Sequence, residues 1–443
     1  MPLKAEKPAL RLHDLKEFFL KGCKKPSEFA VGVEWEKIGI YRNTGAAIPY
    51  SGLQGVKAIF EGLIKNFGWQ VTHSSKNEPV ALKKRETFIT LEPGGQIELS
   101  GAKAKAISEN AEELFSHLDE IKKISEPLGI VWLGLGAQPF SVAENIEWVP
   151  KDRYRIMRER LSQKGGETCS MMKETASVQI SIDYVDENDA IEKFRLALAL
   201  SPFLTAIFAN SPIRRGSASG LLSRRAAIWQ DTTPERAGIP WQTFQSDFSF
   251  QSYVDYALEI PMLFIQRKGQ WIQTDEISFG QFLKSGWKGY DAEWSDWELH
   301  LTTIFTEARL KNYIEIRSVD CQTRWLGLSA VAFIKGIFYN DAARKAAWKI
   351  LGKLTIEERK ALVLEAPQKG LKTAFKGGYL LSPCRELARV SRDGLDEREK
   401  AYLTPIEELL KIGRCPAEKL LECIEKTKEP SETLKAIIDC CSI

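Results

Sequence analysis

Several signatures that would make this chemistry easy to read are missing. There are only four histidines, and none of the eight cysteines belongs to a C-x-x-C pair or lies at zinc spacing from a histidine. Neither a zinc site nor an imidazole-based metal centre is therefore indicated. No G-x-x-x-x-G-K-[ST] segment occurs, and Gly134-Leu135-Gly136 lacks the third glycine of a dinucleotide fingerprint. An excess of one charge is missing too. With 62 Lys and Arg against 59 Asp and Glu, the net charge is +3, no footprint for nucleic acid or an anionic membrane. The most apolar stretch, residues 196–209, is interrupted by Pro202; it is too short to span a bilayer and reads as a buried helix. The opening MPLKAEKPALRLHDLKEFF is charged and has no apolar signal core. A cytoplasmic enzyme with free thiols is expected, Cys169, Cys321 and Cys384 being the mid-chain candidates for thiol regulation. The terminal CCSI formally fits a prenylation pattern, but Ser442 stands where an aliphatic residue belongs, and no lipid anchor is read there.

What is present is an ordinary globular composition, 44% apolar and 27% charged over 443 residues, enough for a large core. Alternating runs mark strands at 30–41, at both arms of 87–101 around Pro93-Gly94-Gly95, at 177–184 and at 312–320. The continuous apolar run 130–135 adds a buried strand. Helical spacing covers 8–23, 52–67, 104–128, 153–161, 189–209 and 297–310, and nearly everything beyond 341. The expected class is α+β: one curved, mostly antiparallel sheet of about six strands flanked by helices, with a helical C-terminal portion.

Strand side chains alternate between two faces. Glu34 and Glu36 thus share a face opposite Val33 and Trp35, and Glu98 opposes Ile97 and Leu99. Glu92 opposes Leu91, and Glu315 with Arg317 opposes Ile314 and Ile316. A half-solvated sheet also alternates, but glutamate is depleted in strands and here recurs five times. If those strands are neighbours, five like charges converge and cannot all ionise uncompensated. Hard carboxylate oxygens suit Mg²⁺, which also binds phosphate oxygens. An ATP site built on metals over a sheet is therefore expected.

The segments VGVEWEK, TLEPGGQIELSGA, RYRIM, Met171-Met172 before SVQISIDY, FANSP, LLSRRAAIWQDTTPERAGIP and DWELHLTTIFTEARLKNYIEIRSVD resemble plant-type and proteobacterial glutamate–cysteine ligases. The resemblance runs from about Phe29 to Tyr339 and more loosely through the tail. It implies a glutamine-synthetase-like catalytic domain over 1–340 and a helical region over 341–443. It also implies ATP and Mg²⁺ as cofactors, with glutamate and cysteine joined through γ-glutamyl phosphate in a monomer or homodimer that binds neither nucleic acid nor membrane. By motif position, Glu34, Glu36, Glu92, Glu98 and Glu315 would hold metal. Arg317 and Arg225 would act on the transferred phosphoryl group and substrate. Arg153, Arg225, Trp229, Arg236, Gln96 and Met172 would bind substrate, the arginines as forks for carboxylates. The 214–223 loop is a candidate cover, and Arg155, Arg158 and Arg160 are expected on a solvated helix face.

The sequence departs from that family at particular places. Glu174 replaces an arginine, and Ser181 an asparagine. Ser318 to Gln322 replace Gly-Ala-Asp-Gly-Gly, and Ser108 replaces a histidine. Because the glutamates are kept while polar neighbours change, two alternatives stay open: a γ-glutamyl ligase for another amine, and a catalytically inactive homologue with a binding role.

Overall fold

The computed structural model describes residues 10–164 and 166–443. Nine strands form one sheet: β1 Gly32–Tyr41, β2 Gln70–Ser75, β3 Glu78–Lys84, β4 Thr87–Leu91, β5 Ile97–Ser100, β6 Ile130–Leu133, β7 Ser177–Ile182, β8 Ala308–Leu310 and β9 Ile314–Asp320. The order is β8-β9-β7-β1-β5-β4-β3-β2, with β6 paired to the far half of β1, and every pairing is antiparallel. The α+β class expected from the pattern is what the chain adopts. Three strands beyond the expected six are β2, β3 and β8. β2 escapes pattern reading because nearly all of it is exposed and polar, so it lacks the apolar half of an alternation.

Residues 297–310 do not continue as one helix. The helix covers Trp294–Leu301 and β8 begins at Ala308. Thr302 and Thr303 end it by turning their hydroxyls back onto the Leu299 and His300 carbonyls, at 2.7 Å each. The reading of 189–209 holds in kind, as a buried helix Glu187–Ile207. Pro202 within it cannot donate to the Leu198 carbonyl four residues back; the Ser201 hydroxyl does so instead, at 2.9 Å. No helix among the described residues is long and apolar enough to cross a membrane.

The apolar face of the sheet, with Val33, Trp35, Ile97, Leu99, Ile180 and Ile316, lies in the main core. Helix Arg324–Phe338 crosses it closely: a Cβ on Gly327 would come within 2.6 Å of the Trp35 ring, so glycine is required there. Helices Asp341–Leu351, Ile356–Lys369 and Leu381–Gly394 continue the tail. The last helix, Pro430–Cys441, covers a second cluster around Ile38, Ile40, Val131 and Leu133. Beyond it the chain docks on β6, where Ile443 donates to Trp132 O at 3.1 Å. The CCSI terminus is thus packed down, with Cys441 and Ile443 buried.

Candidate active site

Opposed residues of an antiparallel ladder point to the same side, so the registers assemble the polar face directly. Glu36 opposes Glu98 across β1–β5, and Glu34 opposes Gln179 across β1–β7. Ser181 opposes Glu315 across β7–β9, and Arg309 opposes Glu315 across β8–β9. Glu92 sits two residues past Thr90, which opposes Glu98. The acids from distant parts of the chain therefore do meet on one sheet. Over this face opens a cleft of about 520 Å³ lined by Glu34, Glu36, Glu92 and Glu98 and by the cations Lys151, Arg153, Arg225, Arg309 and Arg317.

The crowding has an electrostatic signature. Burial, then the charges of Glu98 and Glu315, push Glu34 up to about 8. Burial and Glu98 push Glu36 up to about 7, and burial and Glu36 push Glu92 to about 7. Glu98 is raised as well, by burial and Glu92. Glu36 is nonetheless organised as an acceptor: the Ser177 hydroxyl donates to it at 3.1 Å and Gln179 Nε2 at 3.0 Å. Gln179 in turn accepts from Arg317. Among the described residues no three His, Cys, Asp or Glu side chains close up as a metal cage.

Glu315 differs from the other four. It has no exposed surface and does not line the cleft. Burial opposes its charge, but Arg309 at 2.5 Å, Arg317 at 3.1 Å and Lys311 at 3.5 Å hold its carboxyl well below the usual range. A divalent ion could reach it only by displacing one of these cations.

The predicted substrate residues divide. Arg225 is fixed by a bond from Nη2 to the Arg317 carbonyl at 2.7 Å and from its backbone N to Ser211 at 3.1 Å. Arg153 donates to Thr302 at 3.0 Å over the rings of Phe264 and Trp271. Both line the cleft, as do Met172 and Trp229. Arg236 does not: it is fully buried and donates to the carbonyls of Thr303 and Pro261. Gln96 does not line the cleft either, since its amide is spent on Gly94 N at 2.9 Å and Thr175 O at 2.8 Å. It pins the Pro93-Gly94-Gly95 turn, where a Cβ on Gly94 would meet the Lys173 carbonyl at 2.3 Å. In the 214–223 loop a short hairpin, Ile213–Arg214 with Ser217–Ala218, is bonded at Gly216 N to Pro139 O, and no residue of the loop lines the cleft. Arg160 is not solvated, as only 11% of its side chain is exposed.

Sequence reasoning missed Arg309, which it placed in a helix, and Lys151. The polar-apolar alternation Ala308-Arg309-Leu310 before the Lys311-Asn312 turn was the available signal for the first. Lys151 donates to Leu91 O at 2.8 Å, and burial lowers it to about 8 against the pull of Glu92 and Glu98. The mouth is framed by the β2–β3 turn (His73 to Lys76) and by the hairpin Phe264–Arg267 with Gln270–Gln273 (Gly269, Trp271).

The model of the glutamate–cysteine ligase family 2 matches residues 30–437, nearly the whole chain. The chain belongs to that family. It is 38% identical over 425 residues to the chloroplastic glutamate–cysteine ligase of Arabidopsis thaliana, covering 94% of this chain and 80% of the relative. It is 38% identical over 423 residues to ligase B of Oryza sativa subsp. japonica, covering 94% and 84%. In fold it is similar to the crystal structure of the glutamate–cysteine ligase of Francisella tularensis in complex with AMP, with a TM-score of 0.58 at 12% identity over 93% of this chain and 88% of that one.

Several of the positions read from the resemblance as departures have a definite structural setting. Glu174 is 1% exposed and paired with Arg224 at 2.5 Å, and it accepts from Ala143 N at 2.7 Å. The reversed charge is neutralised inside the protein, outside the cleft lining. Cys321 sits behind the site and donates to the Glu36 carbonyl at 2.8 Å. Ser181 lies on the acidic face opposite Glu315, and Gln322 donates to Phe208 O at 2.6 Å. Nothing in the structure explains Ser108.

Proposed function

We propose that this chain joins the γ-carboxyl of L-glutamate to the amine of L-cysteine, consuming ATP and releasing ADP and phosphate. The observation that carries the reading is the meeting of Glu34, Glu36, Glu92 and Glu98 on one cleft wall with arginines on its other elements. Such a cleft holds opposite charges apart until a polyanion and its counter-ions complete it.

Glu34, Glu36, Glu92 and Glu98 would hold Mg²⁺, and bound magnesium would draw charge from the phosphate oxygens of ATP. The chain's own residues do the rest. Arg317, kept at the site by Gln179 and Glu315, is placed to neutralise the transferred phosphoryl group. Arg225 and Arg153 present planar donors for a substrate carboxylate. The glutamate γ-carboxylate attacks the γ-phosphorus in line, giving an acyl phosphate; the amine then attacks its carbonyl carbon and expels phosphate. Trp229, Phe305, Met171 and Met172 supply apolar wall that limits water at the acyl phosphate.

Two rival readings are weakened by particular observations. An altered amine acceptor was suggested by the changed polar positions as a group; of these Glu174 is committed to Arg224 and does not line the cleft, while Ser181 stays on the acidic face opposite Glu315. An inactive homologue would have no use for a costly uncompensated acidic face. The test is ADP release with glutamate, Mg²⁺ and a panel of amines. Cysteine is expected to lead; faster turnover with alanine or a simple amine would reassign the acceptor, and no binding of Mg-ATP in calorimetry would leave only a binding role.

A further inference from the structure

The C-terminal helices carry a feature that catalysis does not use. Cys423, near the end of helix Pro416–Ile424, and Cys440, near the end of Pro430–Cys441, bring their sulfurs to 2.9 Å across 17 residues. Cys440 is exposed and Cys423 half-buried, so a small reagent can reach the pair, whereas Cys321, Cys384, Cys415 and Cys441 are buried. We infer that Cys423 and Cys440 are a thiol–disulfide exchange site, oxidised to an intramolecular disulfide by low-molecular-weight disulfides.

The placement gives the bond a purpose. Helix Pro416–Ile424 is anchored to the body: Ala417 lies in the main core and donates to Ala209 O at 2.8 Å, and Glu418 pairs with Lys372 at 2.9 Å. Helix Pro430–Cys441, the C-terminal one, rests on the smaller cluster through Ile437, Ile438 and Cys441 and against helix Pro416–Ile424, and the tail beyond it bonds to β6 and buries Ile443. Terminal elements with few buried contacts open first. A bond between the two helices ties the terminal one to its neighbour, and so secures the cover over Ile38 and Ile40 of β1.

The chemistry balances. The Cys423 thiolate attacks one sulfur of R–S–S–R and releases one R–S⁻, giving a mixed disulfide. The Cys440 thiolate then attacks the Cys423 sulfur and releases the second R–S⁻. Two protein thiols are oxidised, one small disulfide becomes two thiols, and the two protons pass to the leaving thiolates. Burial and then the Cys423 thiol push Cys440 up to about 12.

The test equilibrates the full-length protein with glutathione disulfide, then counts thiols and maps non-reduced tryptic peptides. The expected result is a loss of two of the eight thiols, a 2 Da mass decrease, and a link between the peptide containing Cys423 and the C-terminal one, assigned to Cys440 by fragmentation. Cys440→Ser and Cys423→Ser are each expected to abolish it, and Cys169→Ser to leave it intact. Oxidation is also expected to slow protease removal of the last helix severalfold. Eight thiols persisting, a link mapped to another pair, a stable glutathione adduct in place of the link, or a link surviving Cys440→Ser would each overturn the proposal.

Discussion

Ionising the acidic wall without a counter-ion should weaken the fold, and magnesium should repair the loss. The perturbation is pH, between about pH 6.5 and about pH 8. In the folded protein Glu36 and Glu92 titrate at about 7 and Glu34 at about 8, against an ordinary 4.5. Above 4.5 the unfolded chain has released these protons while the folded chain still holds them. Stability therefore falls as pH rises through the window. The buried histidines His117 and His300, both lowered by burial, act in the opposite direction but are finished once pH passes the unfolded value. Lys37 and Lys151, lowered to about 8, oppose the fall only at its upper end. The net loss is about 2 kcal/mol, less where cleft water screens the charges. At ~2.1 cal/mol/K per residue, 443 residues unfolding together give about 0.9 kcal/mol/K, so Tm falls by about 2 °C. Magnesium at 100 times its Kd should restore about 2.7 kcal/mol, and its benefit should grow with pH because only ionised carboxylates bind it. Differential scanning fluorimetry with and without Mg-ADP reads both. A Tm that stays flat or rises in the apo protein, or a magnesium effect independent of pH, would refute the electrostatic account; the Glu34→Gln/Glu36→Gln variant, which keeps Glu92 and Glu98, should show both effects reduced.

Glu98→Gln should reduce Mg²⁺-dependent ADP release roughly 100-fold or more with Tm preserved or raised; near-normal turnover removes it from the metal site. Arg317→Met should cost roughly 100- to 1,000-fold in kcat, and retention of wild-type kcat would exclude a role at the phosphoryl group. Glu174→Ala leaves Arg224 buried and unpaired at a cost of about 3–5 kcal/mol, a Tm loss of about 3–5 °C, which Glu174→Ala/Arg224→Met should largely recover; an unchanged Tm in the single variant would contradict the pairing. Arg236→Met should likewise lower Tm, with the KM for glutamate unchanged in the folded fraction; a selective rise in that KM would return Arg236 to the substrate site.

The acidic face was legible because β1 combines a clean period of two with an uncommon residue type, so Glu34 and Glu36 announce their side without any knowledge of neighbours. Which strands lie beside β1 was not legible from alternation; the register Glu36–Glu98 and Ser181–Glu315 exists only after folding. Residue type alone could not separate a donor aimed at a ligand from one aimed at the backbone. Arg225 and Arg236 look equivalent in the sequence, yet one reaches the cleft and the other serves two carbonyls. Gln96 has the parity of Glu98 but precedes the strand, so its amide folds back onto the turn. Arg309 was hidden because β-branched Thr302 and Thr303 end a helix whose spacing otherwise seemed to continue. Glu315 has the expected face but meets three cations, a tertiary fact that one strand cannot display.

The most direct test of the central claim is ADP release by the purified chain with ATP, glutamate and cysteine, titrated with Mg²⁺. The account predicts turnover that needs all three substrates, is absent in EDTA, and yields γ-glutamylcysteine in step with ADP. ADP release without dipeptide, or turnover undiminished without a divalent ion, would contradict it.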